Sequence, residues 1–382
     1  MRLGIDASNL REGGGITHLS QLLRAAEPEA HGVDRVIVWG GRRMLEELPG
    51  GLLWLRLAHE PTLDRSLPQR LWWQRFTLAR RAASACDLLF VPGGNYLGTF
   101  RPFVTMFRNM LPFAKSELRQ FGLSLVRLRL ALLRVSQMTA FSKADGMIFL
   151  TTHAFETIRP LVPRLRERSV IIPHGIDIRF QCAPRPVRSL ASCSAEAPFR
   201  LLYVSIIDVY KHQWHVAAAV GELRKQGIPV ELTLAGPAYP PALERLQRVL
   251  RRIDPDGAFI QYVGPIPYEK LPSLYRQADG FVFASSCENM PNILLEAMAS
   301  GLPIACSERE PMPELLGDAG VYFDPVKPEA IAKTLGQFLH DQVLRERLAH
   351  QAYTRSQAYS WTRCARETFS FLSRVGAGAD AG

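Results

Sequence analysis

The sequence predicts an α/β protein built as two doubly wound domains, and three observations carry that prediction. The chain has 382 residues, about twice the length of an ordinary domain. It opens on a strand, a glycine turn and a helix, the unit from which parallel sheets are wound. Beyond residue 198 the same alternation starts afresh, after a segment with no periodicity.

Arg2-Leu-Gly-Ile-Asp6 is a short apolar run that reads as a strand. Gly13-Gly14-Gly15 follows it, and helical apolar spacing then runs over 16–25. Residues 35–39, 88–91, 103–107 and 146–150 read as buried strands. Pro173-His-Gly-Ile-Asp177 breaks the pattern, and the Pro-, Arg-, Ser- and Ala-rich stretch 183–198 is a boundary loop. Strands resume at 199–204, 230–235, 259–263, 280–283, 303–306 and 320–323. Helical patterns at 214–226, 241–253, 271–277 and 292–300 fill the gaps. In open parallel sheets ligands bind beyond the carboxyl ends of the strands, so a cleft between the two halves is the expected site.

Composition excludes several classes. Charged residues make up 21% and the AVILMFWYC set 47%, which is ordinary globular usage and not that of a disordered, collagen-like or coiled-coil chain. The six cysteines form no C-x-x-C pair and no zinc spacing, which fits a reducing compartment. Arg2 and Asp6 stand where a signal peptide needs its apolar run, and no charge-free stretch is long enough to cross a membrane. A cytoplasmic protein is expected.

The net charge of +10 is unevenly placed, since residues 1–180 hold 25 Lys and Arg against 15 Asp and Glu and residues 181–382 hold 21 of each. The excess peaks between Arg80 and Arg134. There, 121–134 mixes leucines with Arg127, Arg129 and Arg134. Two readings stand for this segment: an interfacial helix on anionic lipid, or a core helix with solvated arginines. No recognition motif accompanies the charge, so nucleic acid is not an expected partner.

The densest chemistry lies in Ser285-Ser-Cys-Glu288-Asn289-Met290-Pro-Asn292-Ile-Leu-Leu-Glu296-Ala-Met-Ala-Ser-Gly301-Leu-Pro303. It follows a buried strand and opens a helix near Pro291. Free N–H groups at a helix start carry partial positive charge and suit an anion such as a diphosphate. A carboxylate just ahead can meet sugar hydroxyls, and one inside the helix the vicinal hydroxyls of a ribose. Asp254-Pro-Asp256 has a metal-motif spacing but sits in a Pro- and Gly-bearing loop, where turn chemistry explains it. The nine histidines show no metal-ligand spacing, and His212 and His215 read as packing or surface residues. No metal is expected.

With Glu288 and Glu296 in an E-x7-E relation and Leu295-Glu-Ala-Met-Ala-Ser-Gly-Leu-Pro303 behind them, the sequence resembles the retaining GT-B glycosyltransferases, family 4 or group 1 type. The resemblance extends to Pro173-His-Gly-Ile-Asp177, Leu234-Ala-Gly-Pro237, Val263-Gly264 and Tyr275-x-x-Ala-Asp279, and so covers most of 170–325. It implies a GT-B fold of two Rossmann-like domains facing a cleft: an acceptor-binding domain over 1–172 and a nucleotide-sugar domain over 173–358. A segment over 359–382 crosses back to the first domain, its last residues from Gly376 frayed.

The resemblance assigns Glu288 to the donor sugar and Glu296 to the ribose, and Lys211 to the donor phosphates with Ser205, Asn289, Met290 and Asn292 around them. Gly14 and Gly15 belong to a glycine loop beneath the phosphates, where glycine permits close approach and positive φ. The sequence departs from the family in three places. Ser205-Ile-Ile-Asp-Val offers no phosphate-binding Arg, Met290-Pro291 replaces a Gly-led loop, and Arg108-Asn109 stands where many members carry a strand-end His-Asp pair. Arg108 is then a candidate for the missing charge.

A retaining, metal-independent hexosyl transfer from a GDP- or UDP-linked sugar is implied. The acceptor would be lipid-linked or a saccharide, in bacterial surface polysaccharide or lipopolysaccharide synthesis. The enzyme would work at an anionic membrane surface as a peripheral protein of the cytoplasmic face. Three other readings stay open: a nonhydrolysing nucleotide-sugar epimerase, a glycan- or nucleotide-binding partner without catalysis, and a soluble-acceptor enzyme whose basic face serves phosphorylated substrates.

Overall fold

A computed structural model of the chain describes residues 1–379 apart from Glu12 and Leu123. They form two units. The first comprises Met1–Leu118, Gly122–Gly175 and Tyr359 onward, and the second Ile176–Ala358 together with Arg119–Phe121.

The first unit is wound on seven strands: β1 (Arg2–Asp6), β2 (Arg35–Gly40), β3 (Leu55–His59), β4 (Leu88–Val91), β5 (Phe103–Met106), β6 (Gly146–Phe149) and β7 (Ser169–Ile171). They pair in the order β3-β2-β1-β4-β5-β6-β7, every ladder parallel. The inner strands β4, β5 and β6 are buried at every position, as expected where helices cover both faces of a parallel sheet. The sequence reading locates five of the seven and misses β3 and β7. Both are edge strands with half-exposed patterns, so neither carries a continuous apolar run.

The second unit holds β8 (Phe199–Val204), β9 (Val230–Ala235), β10 (Ile260–Tyr262), β11 (Gly280–Phe283), β12 (Ile304–Ser307) and β13 (Val321–Phe323). Their order, β10-β9-β8-β11-β12-β13, is again all parallel. Each sheet therefore reverses direction once, between β1 and β4 and between β8 and β11. In doubly wound sheets that switch point is where ligands bind.

The expected helices are present as Gly14–Arg24, Gln213–Lys225, Pro240–Ile253, Leu271–Gln277 and Asn292–Ala299. The terminal helix Trp361–Ala379 belongs to the first unit. It runs regularly past Gly376, where fraying is expected from the sequence, and residues 380–382 of that expectation lie outside the described residues. Tight packing of this helix is written into Gly175, since a Cβ there would come within 2.2 Å of the Trp361 nitrogen. No helix among the described residues is long and apolar enough to cross a membrane. All six cysteines are free thiols.

The helix Leu125–Lys143 departs from the core-helix reading of 121–134, of which Leu123 lies outside the described residues. It is docked on the core through Leu130, Ala140 and Phe141, yet it leaves leucines as well as arginines in solvent. A core helix with only its arginines solvated is thus not what the chain builds.

Candidate active site

Two loops meet at the switch point of the second sheet. One leaves the carboxyl end of β8 as Ser205–His212, and the other leaves β11 as 284–291 before the helix Asn292–Ala299. The strands are hydrogen-bonded neighbours, Leu202 pairing with Phe281, so their carboxyl ends deliver both loops side by side.

Side chains then join the loops. The Tyr203 hydroxyl donates to the Lys211 carbonyl at 2.5 Å and accepts from the Ala284 N–H at 3.2 Å. The Ser286 N–H donates to the Tyr210 carbonyl at 2.9 Å. His212 Nε2 and Ser286 Oγ are hydrogen-bonded at 2.8 Å, and His212 itself takes a left-handed conformation, φ 51°, to start the Gln213–Lys225 helix. Held this way, Lys211 and Glu288 form an ion pair. Lys211 is only 5% exposed, and its ammonium lies 5.2 Å from the ring centres of both Tyr210 and Phe283. An ion pair so shielded from water interacts far more strongly than one on the surface.

Asn289 and Met290 are buried beside the pair. Pro291 is the residue before the helix and brings no N–H, whereas Asn292 opens the first turn with a buried Oδ1 that has no partner. Ser205 is buried at the end of β8 and donates its N–H to the Ala235 carbonyl at 2.8 Å. Asp208 lies between Ser205 and Lys211 with its carboxyl pushed up by burial.

Glu296 is one turn inside the helix and 6% exposed. Its partner is the Tyr275 hydroxyl, which donates to it at 3.1 Å. Burial pushes the Glu296 carboxyl up to about 7, with nearby Asp177 adding to the rise and the Tyr275 hydrogen bond opposing it. Tyr275 belongs to an aromatic group with Phe180, ring centres 5.6 Å apart, and Phe180 packs on Tyr268 at 5.5 Å. The spacing of the two glutamates therefore separates two environments: one carboxylate paired to a lysine, one desolvated beside a phenol.

In the first unit the glycine loop lies at the carboxyl end of β1. Gly13 has φ 68° and ψ −153°, a conformation open in practice only to glycine, and Gly14 and Gly15 form the first turn of the helix behind it. Arg108, which follows β5, donates from Nη2 to the Gly14 carbonyl at 2.7 Å, while its Nη1 is buried without a partner. Burial lowers this guanidinium to about 10. Asn109 points elsewhere: it is exposed, and its Oδ1 accepts the Leu111 N–H at 3.1 Å, capping a turn.

Several of these partners were not identifiable from the sequence. Tyr203 reads there as one more apolar strand residue, and Tyr275 carries no assigned role. His212 is read as packing, which holds for its stack on His215 at 5.2 Å but omits its bond to Ser286. His18 and His174, 156 positions apart, are hydrogen-bonded through their Nδ1 atoms at 2.8 Å and both pack on Trp361. Burial, with Arg108 nearby, holds both imidazoles well below their ordinary range and so neutral. Asp254 is a turn device as expected, its carboxylate accepting the N–H groups of Ala258, Phe259 and Ile260 at 2.8, 3.0 and 2.7 Å.

The loops, the helix and both glutamates fall within residues 192–355, which match the family model of glycosyl transferases group 1. Over 112 residues the chain is 37% identical to the O-antigen chain mannosyltransferase B of Escherichia coli, a match that covers 29% of each protein. The chain thus spans under a third of that relative's length. Among solved structures it is similar to the sucrose-phosphate synthase of Thermosynechococcus elongatus, with TM-score 0.76, 17% identity, and coverage of 99% of this chain and 100% of that one. It is similar also to Anabaena HepE solved with UDP and glucose, with TM-score 0.70, 16% identity, and coverage of 98% and 100%. These likenesses establish the GT-B architecture of two parallel-sheet α/β domains.

Proposed function

We propose that the chain, whose residues 192–355 match the family model of glycosyl transferases group 1, transfers a hexosyl unit from a nucleotide sugar to a lipid-linked or saccharide acceptor. The observation that carries the reading is the placement of Lys211, Glu288 and Glu296 at the switch point between β8 and β11. A GDP- or UDP-linked hexose is the donor. Synthesis of bacterial surface polysaccharide or lipopolysaccharide at the inner face of the cytoplasmic membrane is the setting. The O-antigen relative supports that setting, and the UDP held by HepE supports the donor class.

Negative charge gathers on the diphosphate as its bond to the sugar breaks, so positive groups fixed in advance lower the barrier. Lys211 supplies a full charge, and the start of the Asn292–Ala299 helix supplies partial ones. Glu288 turns from Lys211 to the sugar hydroxyls when the phosphates take over the ammonium. Glu296 receives the ribose hydroxyls. The acceptor oxygen attacks the anomeric carbon on the face that the diphosphate leaves, its proton passing to the departing phosphate oxygen, so the configuration is retained. Glu288 and Glu296 act as binding groups and not as the facing carboxylates of a retaining glycosidase, which stand about 5 Å apart around one bond. With Lys211 and the helix start in place, the reaction proceeds without a metal.

Calorimetric titration of the purified protein with GDP, UDP and ADP in EDTA tests the reading. Binding of one of them at micromolar levels supports a metal-free donor site and fixes the base. Binding of none overturns the enzyme reading in favour of a partner protein without catalysis. An epimerase is distinguished by incubating the bound nucleotide's sugar conjugate alone and following epimer formation.

A further inference from the structure

We propose that the Leu125–Lys143 helix is a docking face for an anionic lipid bilayer, entering it with leucines and not merely resting on it by charge. The proposal deepens the lipid-linked-acceptor reading above by naming the surface that meets the lipid.

The helix is apolar on two sides. One side holds Leu130, Gln137, Ala140 and Phe141, all buried, with Phe141 packed edge-to-face on Phe107 at 5.6 Å. The other holds Leu125, Leu128, Leu132 and Val135, which are 85, 57, 63 and 65% exposed. Their spacing of three, four and three residues places them in one row along the helix, and a rotation of about 100° per residue sets that row opposite the buried one. A soluble helix ordinarily presents polar residues there. The segment is not loosely formed, because Ser124 caps it by accepting the Arg127 N–H at 3.3 Å. Core contacts therefore hold the leucine row outward in a fixed orientation.

Charge selects the occupant. Arg127 and Arg129 are exposed on either side of the row, Lys143 ends it, and residues 118–144 contain no Asp or Glu. Arg134 lies with its guanidinium 5.4 Å from the Phe113 ring centre. A leucine row flanked by cations matches the boundary between acyl chains and anionic headgroups. A second copy of the chain fits less well. The row spans about two heptads where a stable coiled coil needs three or four, and pairing would set arginine against arginine with no carboxylate to relieve them.

The test is cosedimentation of the full chain with vesicles of equal parts phosphatidylglycerol and phosphatidylcholine, and with vesicles of phosphatidylcholine alone. Three proteins are compared: wild type, Leu128→Ser/Leu132→Ser, and Arg127→Gln/Arg129→Gln. All four positions are exposed, so circular dichroism should show unchanged folding. Wild type should bind the anionic vesicles and bind the neutral ones weakly. The arginine pair should lower anionic binding by about fivefold per arginine. The serine pair should lower it at least about tenfold, and this loss should persist in high salt, where the arginine effect fades.

Three results would each overturn the proposal: equal binding by all three proteins, equal binding to both vesicle types, or a concentration-dependent dimer in sedimentation that the serine pair abolishes. The last would give the row to a second copy. Titration of each protein with the nucleotides separates this outcome from failure of the enzyme reading. Nucleotide binding without vesicle binding removes the docking face alone, and vesicle binding without nucleotide binding removes the enzyme reading alone.

Discussion

At the scale of single residues, the site is governed by burial acting on charge. Glu296 has its carboxyl raised to about 7 because the folded chain desolvates it. A carboxyl raised in the folded state contributes stability that is fully present below its unfolded value near 4.5 and is lost as pH climbs through about 7. Glu296→Gln should therefore be more stable than wild type at pH 8, by on the order of 3 kcal/mol, with the advantage vanishing near pH 4 in chemical denaturation. The same group links pH to ligand. Ribose hydroxyls donate to the ionised form, so nucleotide affinity should rise between about pH 6 and 8 with release of a proton, readable by calorimetry in buffers of different ionisation enthalpy. Glu296→Gln should remove that dependence.

Lys211 and Glu288 make the converse case. Breaking a buried ion pair strands a charge and costs about 3–5 kcal/mol. Lys211→Met and Glu288→Gln should each destabilise by that order, and the double variant by clearly less than their sum. A double-mutant cycle in denaturant measures the difference; additive losses would mean the pair is not coupled.

At the scale of elements, glycines fix where helices begin and end. The Asn292–Ala299 helix closes in a Schellman turn, the Gly301 N–H donating to the Met298 carbonyl at 3.1 Å and the Leu302 N–H to the Ala297 carbonyl at 3.4 Å. Gly301 has φ 64°, and a Cβ there would stand 2.7 Å from the Cys182 carbonyl oxygen. Gly301→Ala thus meets both backbone strain and a backbone clash, and should cost more than the roughly 1 kcal/mol of an ordinary left-handed alanine. Thermal unfolding of Gly301→Ala beside Gly32→Ala checks this, since Gly32 is left-handed at φ 68° and ψ 24° with open space where a Cβ would stand. The Gly301 variant should be the less stable of the two.

Across the whole molecule, ligand and fold are linked by mass action. A nucleotide at a hundred times its dissociation constant should stabilise the protein by about 2.7 kcal/mol. The rise in unfolding temperature should be the same with and without EDTA if no metal takes part. Charge is divided as sharply as structure, with the whole excess of +10 carried by residues 1–180. Dependence on ionic strength therefore belongs to partners of that half, and nucleotide binding through residues 192–355 should respond to salt much less than vesicle binding does.

What the sequence by itself determined is what repeats locally or sits close along the chain. Inner strands β4 and β11 are continuous apolar runs, β8 and β9 are apolar but for Arg200 in one and Glu231 and Thr233 in the other, and the bounds of all four are legible to the residue. The run from Glu288 to Pro303 shows both carboxylates, the helix start and the closing glycine within one stretch. The edge strands β3 and β7 escaped because half-exposed segments lack that signal. Only the tertiary structure decided how distant residues meet. It joined Lys211 to Glu288 across 77 positions, set Tyr275 on Glu296 across 21 and brought His18 to His174 across 156. It also decided which side of the Leu125–Lys143 helix faces water, because leucines on both sides leave no single amphipathic stripe to read. The physical reason is common to all of these. Periodicity records which face of an element is apolar, whereas ionisation, pairing and exposure depend on what the fold packs against that face.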